Sequence, residues 1–394
     1  MTEKTRTQVG IIGAGPAGLV LGQLLHLRGI DSVVLEARDR AYVEKRVRAG
    51  VLEQGTVRLL QQLGVAERLD REGIVHTGIE LRFQGTSHRI AFDELTGKSI
   101  TIYGQQEVVK DLIAARLASG AALQFQVTNV ALGDLTSDHP VIRYEHQGTE
   151  HELHCDLIAG CDGFHGVSRD SVPPGELSFY ERDYPFGWAG ILAEVAPSAD
   201  ELIYAYSPRG FALHSLRSPE LSRLYVQCDA TDSVDDWPDE RVWEELHLRL
   251  HKEGWELAEG PVIEKSVTPM RSFVTEPMQY GRLYLAGDAV HIVPATGAKG
   301  LNLAVADVRI LAEAMLEWFS NGKSAALDSY SVRCLRRVWR AQHFSWWMSS
   351  MLHRFTGEDE GFQEKLQLAQ LEYLSSSLSQ QRSLAENYVG FDLA

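Results

Sequence analysis

Apolar positions recur along this chain with two periods, and the switches between them mark its parts. Val9, Ile11 and Ile12 form a short apolar run that predicts a buried strand, and residues 32–35 predict a second. Between them Leu19, Leu21, Leu24 and Leu25 predict a helix. Val51, Leu52, Val57, Leu59, Leu60 and Leu63 have helical spacing and predict a helix over 51–69, with His76 in the loop that follows. Residues 79–83, 88–92 and 99–103 read as strands, and Gln105 opens a helix over 107–118. Strands return at 123–131, 141–146 and 152–158. From about 176 to 275 tyrosine-rich strands alternate with Gly, Pro and Ser turns, and 202–206, 210–218 and 222–228 predict an antiparallel meander. A strand over 282–286, a helix over 301–319 and a helical tail over 328–387 complete the pattern.

This order predicts an α/β fold. A Rossmann-like nucleotide domain begins over 1–175, an antiparallel-sheet substrate domain is inserted over 176–275, and 276–394 completes the first domain and ends in helices. The first turn supports it. Gly13, Gly15 and Gly18 give G-x-G-x-x-G between a strand and a helix, and the second strand ends at Glu36. Gly13 makes the tight turn, Gly15 holds no side chain against a pyrophosphate, and Gly18 lets helix and strand pack closely. The helix start offers free N–H groups to the phosphates. Glu36 is placed to accept hydrogen bonds from ribose hydroxyls. A membrane-spanning reading of 9–27 fails because five glycines and Pro16 interrupt the run.

Composition narrows the partners. A formal net charge of −16 argues against nucleic acid or an anionic membrane. It also means that any site for an acidic substrate must be built from local arginines. The four cysteines contain no C-x-x-C, which points away from a disulfide framework or a zinc site and toward a reducing cytoplasm.

Candidate chemistry is scattered. Arg38, Arg40, Lys45, Arg46 and Arg48 follow the nucleotide motif, either as a solvated loop or as a holder of pyrophosphate or a second dinucleotide. Cys161-Asp162-Gly163 ends a strand in a turn whose carboxylate can bind a dinucleotide. In the meander, alternation puts Ser215 and Arg217 on one face, and Arg223, Tyr225 and Gln227 on one face of the next strand. If 219–221 turns the hairpin, these groups converge as a carboxylate cradle; otherwise they line a solvated sheet face. Gly287-Asp288 and the glycine-lined stretch from Thr296 to Asn302 form a second strand–loop–helix, whose helix start suits negative charge on a flavin ring. Trp339, Phe344, Trp346 and Trp347 read as core or dimer surface.

Together the N-terminal glycine motif, Cys161-Asp162-Gly163 and Leu285-Ala286-Gly287-Asp288-Ala289 resemble the single-component flavoprotein aromatic hydroxylases. The stretches 46–55, 184–188, 208–213 and 291–303 are similar to members of that family acting on para-hydroxybenzoate, along nearly the whole chain. The resemblance implies FAD as cofactor, NADPH or NADH as co-substrate, and O2. The implied reaction is hydroxylation of 4-hydroxybenzoate or a related phenolic acid, giving protocatechuate from the former, in a cytoplasmic homodimer. It implies that Ser215, Arg217 and Tyr225 hold the substrate carboxylate. Tyr204 would meet the phenol, Tyr388 would pass its proton on, and His76 would be the solvent end of that relay. Arg223 would hold the flavin inward. Gly13, Gly15, Gly18, Glu36, Arg46, Arg48, Gln105, Asp162 and Asp288 would bind FAD, with Lys299, Gly300, Leu301 and Asn302 at its ring. Ala295 stands where the family has a second proline, with its carbonyl near the substrate hydroxyl. After Glu36 the family's arginine is Ala37, and Arg38, Asp39 and Arg40 leave NADPH or NADH open. A flavin dehydrogenase or disulfide reductase would commonly carry a second glycine fingerprint or a redox C-x-x-C, and neither is present. A non-catalytic nucleotide sensor would need no Ser215–Arg217–Tyr225 cluster.

Overall fold

The computed structural model describes residues 2–46, 50–357 and 359–390. Strand β1 (Val9–Ile12) is wholly buried, as an uninterrupted apolar run requires. The chain turns at Gly13, whose φ of 101° is open to glycine, and enters helix α1 (Pro16–His26) through Pro16. Strand β2 (Ser32–Leu35) returns parallel to β1. A Cβ on Gly18 would stand 2.0 Å from the Gly13 carbonyl oxygen, so helix and turn approach only with glycine there.

Two further strands follow, β3 (Ile74–His76) and β4 (Gly78–Phe83). Strand β5 (Leu157–Gly160) pairs parallel with β1. The middle of the chain supplies β6 (Ser178–Glu194), β7 (Ile203–Ala205), β8 (Ala212–Ser218), β9 (Leu221–Asp229), helix α2 (Asp239–Leu250) and β10 (Val262–Glu276). Then come β11 (Leu283–Leu285) and the helices α3 (Gly300–Asn321), α4 (Tyr330–Leu352), α5 (Glu360–Ser376) and α6 (Leu378–Val389).

The nucleotide sheet runs Gln279–Tyr280, β11, β5, β1, β2, Leu123–Gln124. β11 therefore completes a sheet begun at residue 9, with the middle of the chain inserted between. The second sheet has eight strands in the order His291–Ile292, β10, β6, β9, β8, β7, β4, Thr86–Ala91. It draws β4, Thr86–Ala91 and His291–Ile292 from outside 176–275. Alternation gives this sheet two buried faces. Ile203, Ala205, Ala212, Leu224 and Val226 pack with Val242, Leu246 and Leu250 of α2. Tyr204, Leu213 and Tyr225 point the other way, into a core shared with Met348, Leu352, Leu371 and Tyr388 of the C-terminal helices.

Several elements differ from the sequence expectation. Residues 51–69 are not one helix: Val51–Glu53 is a strand, Gln54–Gln62 a helix, and Gly64 at φ 70° separates it from a second helix, Glu67–Glu72. His76 lies on β3, paired to Ile100–Ile102, and not in a loop. Phe92 begins a short helix, Phe92–Thr96. Residues 123–131 split at Gln126, φ 62°, into strands of two different sheets, and 152–158 likewise divides between Thr149–His154 and β5. Among the described residues no helix is long and apolar enough to cross a membrane, and no cluster of His, Cys, Asp or Glu could hold a metal ion.

Candidate active site

The nucleotide end is built from backbone. Helix α1 starts at Gly15 without a side-chain cap, so its first N–H groups are open to a ligand. Space is open where a Cβ on Gly15, Gly163 or Gly300 would stand. Glu36 accepts hydrogen bonds from Ala14 N and Arg38 N, each at 2.8 Å, which fixes its carboxylate at the end of β2. Asp162 uses one oxygen to accept from Ser168 N and Oγ, both at 2.9 Å. Its other oxygen is buried with no partner among the described residues, and burial raises its pKa against the Ser168 bonds. An unpartnered carboxylate oxygen next to the open turn at Gly163 fits a hydroxyl-bearing dinucleotide. Arg46 is exposed at the end of the helix Arg40–Lys45, Arg48 lies outside the described residues, and Gln105 starts the helix Gln105–Ala118.

The second motif is braced by a buried pair that sequence reading did not single out. Asp307 of α3 accepts from Gly287 N at 3.1 Å and binds His291 Nε2 at 2.6 Å. Burial lowers the His291 pKa, but the Asp307 carboxylate outweighs it and the net shift is upward. This pair fixes the Gly287–Asp288 turn; the signal in the sequence was Asp307 as the one acid inside the apolar run 303–308. Asn302 joins α3 to the strand Val51–Glu53: its amide oxygen accepts from Glu53 N and Thr56 Oγ1, and its nitrogen donates to Val51 O. Lys299 is buried and donates to Glu53 at 2.9 Å and to the Tyr388 carbonyl at 2.7 Å. These two side chains brace the start of α3, leaving the Gly300–Leu301 backbone at its mouth. Ala295 is exposed in the loop before α3.

The meander brings the remaining candidates together. Ser218 pairs with Leu221, so Pro219 and Glu220 form the turn. Register then sets Ser215 opposite Arg223 and Leu213 opposite Tyr225, with Tyr204 beside Leu213. Ser215, Arg217, Arg223, Tyr225 and Tyr204 thus share one face, and it is not solvated: Tyr204 and Ser215 are buried. Arg217 donates to Ser215 Oγ at 3.1 Å and to Leu216 O at 2.9 Å, while its Nε is buried with no partner among the described residues. Burial lowers its pKa, against the opposing pull of the Tyr225 phenol, and Arg223 adds to the lowering. Arg223 itself is paired with Glu264 at 2.9 Å and also donates to Ser266 and Tyr225. Arg217 therefore presents a cation whose hydrogen-bond partners are neutral. A Cβ on Gly190 would sit 2.7 Å from the Tyr225 ring, so glycine makes room for it.

Tyr204 Oη lies 2.6 Å from Tyr388 Oη, joining β7 to α6. Burial pushes both phenols' pKa up. His76 is buried, neither ring nitrogen has a partner among the described residues, and burial pushes its pKa down to about 4. The walls are aromatic: Trp188 lies 5.0 Å from Tyr225 and 5.1 Å from Phe211, and Phe211 lies 6.0 Å from Tyr204. The sequence held no local sign of these wall residues' role, because they meet only through the sheet.

A family model described as FAD binding domain matches residues 6–345. The p-hydroxybenzoate hydroxylase of Acinetobacter baylyi is 51% identical over 387 residues, spanning 98% of this chain and 95% of that protein. The 3-(3-hydroxy-phenyl)propionate/3-hydroxycinnamic acid hydroxylase of Mycobacterium sp. (strain JLS) is 26% identical, spanning 84% of this chain and 57% of that protein. The crystal structure of p-nitrophenol 4-monooxygenase from Pseudomonas putida DLL-E4 superposes with a TM-score of 0.83 at 19% identity, covering 99% of both chains. That last likeness bears on the fold.

Proposed function

Because this chain belongs to the family of FAD-dependent aromatic hydroxylases, we propose that it converts 4-hydroxybenzoate to 3,4-dihydroxybenzoate with NAD(P)H and O2. The observation that carries the substrate is Arg217: a deep-set guanidinium with only neutral hydrogen-bond partners, on the sheet face that also holds a buried tyrosine pair. A cation in that position gains from an incoming carboxylate, because its desolvation has already been met by the fold. Ser215 and Tyr225 add hydroxyl groups to the same end. Tyr204 stands two strands from Tyr225, about 10 Å at usual strand spacing, so a para-disubstituted ring can lie between the two ends.

The Gly13–Gly18 turn, Glu36, Asp162 and Asp288 would hold FAD, which with NAD(P)H would supply the chemistry that activates O2. The chain's own residues do the rest. Arg217 and Ser215 anchor the carboxylate, and the aromatic walls exclude water. Tyr204 accepts the substrate's phenolic proton while passing its own to Tyr388, so electron density rises in the ring and no new charge is fixed beside it. His76, buried with neither ring nitrogen partnered among the described residues, is the group assigned to the relay's far end. Arg223, tied to Glu264, holds the cofactor-side end of the face.

Ala295 favours a second reading, a related phenolic acid, since alanine in that loop leaves its backbone freer than proline would. Exposed Trp339, Trp346, Phe362 and Leu366 on the C-terminal helices support a homodimer, which sedimentation would test. Four buried thiols support a reducing cytoplasm. The deciding assay is NAD(P)H oxidation across a panel of phenolic acids with product identification. 4-Hydroxybenzoate should accelerate oxidation and yield protocatechuate; no hydroxylated product from any phenolic acid would overturn the proposal.

A further inference from the structure

We propose that His353 is a positioning residue for the substrate site, acting through Trp188; this rests on the hydroxylase reading above. His353 follows the last turn of α4 and is fully buried. Its Nδ1 lies 3.1 Å from the Ser349 carbonyl, and its Nε2 lies 2.7 Å from Trp188 Nε1. A carbonyl can only accept and an indole N–H can only donate. The imidazole is therefore held as one neutral tautomer, with hydrogen on Nδ1 and a lone pair on Nε2. Burial pushes its pKa down to about 3, so this form persists across the working pH range.

The bond matters because of what the indole touches. Trp188 lies against Tyr225, at the carboxylate end of the proposed site. It also stacks on Phe211, which reaches Tyr204 at the phenol end. Stacking alone does not fix an indole's in-plane direction, whereas a single buried acceptor does. The imidazole stacks on Phe186 at 4.3 Å and Phe211 at 4.5 Å, so it cannot tilt away.

The same helix face reaches the loop before α3. Ser349 Oγ lies 2.8 Å from Thr296 Oγ1, and a Cβ on Gly297 would stand 2.5 Å from Ser345 Oγ. Ser345, Ser349 and His353, each four residues apart, thus join that loop to the aromatic wall. The end of α4 is pinned in turn: Gln367 donates to His353 O at 2.6 Å, and Gln227 on β9 bonds Arg354 N and O at 2.9 and 2.7 Å.

Two variants separate the acceptor from the stack. His353→Phe keeps an aromatic ring and removes the acceptor; His353→Gln removes the ring and restores an acceptor near Nε2. Both are made as FAD-loaded protein and checked by thermal unfolding. His353→Phe should raise KM for 4-hydroxybenzoate about tenfold, as a stranded buried N–H would, with a smaller change in kcat. The yield of protocatechuate per NAD(P)H should fall, and His353→Gln should recover much of it. A role in stability alone would lower Tm in both and move neither KM nor yield. A folded His353→Phe with wild-type KM and yield overturns the proposal, as does a Gln variant no better than Phe. Fluorescence, with Trp188→Phe subtracted, reads the indole in ligand-free protein: a shift with His353→Phe supports the proposal and its absence overturns it. That arm holds even if the wild type fails to hydroxylate 4-hydroxybenzoate, in which case the functional reading alone falls.

Discussion

Replacing Arg217 by methionine removes a charge while keeping most of the side chain's bulk. In the structure that guanidinium bonds a serine hydroxyl and a main-chain carbonyl and lies against the Tyr225 phenol, all neutral, and its Nε has no partner among the described residues. The desolvation of the cation is thus a standing cost of the ligand-free fold, offset when a carboxylate binds. Breaking one side of such a buried pair costs about 3–5 kcal/mol. The dissociation constant of 4-hydroxybenzoate should therefore rise by roughly 10² to 10³ or more. The effect on stability should have the opposite sign. With no anion bound, Arg217→Met removes an unpaired cation, so the free enzyme should unfold at the same temperature or higher. Calorimetric titration of the FAD-loaded variant gives the first quantity and thermal unfolding without substrate the second. An uncharged analogue, 4-hydroxybenzamide, closes the cycle, since it should bind wild type and variant almost equally. Unchanged affinity for 4-hydroxybenzoate refutes the cradle. A weaker affinity matched by an equal loss for the amide would show that packing, not charge, had been removed.

Tyr204→Phe should slow hydroxylation by at least about 10² while NAD(P)H oxidation continues and peroxide is released; full coupling in that variant counts against the phenol relay. Glu53→Gln leaves Lys299 buried without its carboxylate and should cost about 3–5 kcal/mol of stability, read by urea unfolding; an unchanged midpoint would place that pair in water. His214 is buried, its Nε2 accepts from Ser198 N, and its pKa is pushed down to about 4. The unfolded chain therefore binds its proton first, so stability is full above pH 6.5 and falls as pH drops toward 4, by about 3 kcal/mol at most. His214→Gln should flatten that slope, and an identical slope would dismiss the residue as its source.

What could be read from the sequence was local or strictly periodic. The Gly13 turn, the flanking strands and Glu36 all lie within one short stretch, and each needs only its neighbours. That Ser215, Arg217, Arg223 and Tyr225 share one face was legible because strand alternation and a short turn fix register without knowledge of the rest of the fold; that the face is buried was not. Residues 51–69 were misread for a related reason. A three-residue strand followed by a helix shows the same apolar spacing as one long helix, and only Gly64 hinted at a break. Nothing local joins Glu53 to Lys299, 246 residues away, or Trp188 to His353, 165 away. Those pairs exist because the insertion brings the sheet against the C-terminal helices, and side chains become partners only after that packing.

A net charge of −16 does not by itself bar the proposed anion site. At physiological ionic strength the global field is screened within about 8 Å, so the pocket responds to its own wall. There Glu264 is taken by Arg223 and Glu53 by Lys299. Both of these acids are thus matched to a cation other than Arg217. A carboxylate acting as base on the substrate phenol would upset this balance, competing for Arg217 and repelling the ring as it gains electron density. Two neutral phenols in contact avoid both effects. Hence the same arrangement that leaves Arg217 to a ligand also favours tyrosines at the opposite end. Introducing an acid at the Tyr204 position should weaken benzoate binding even with Arg217 intact.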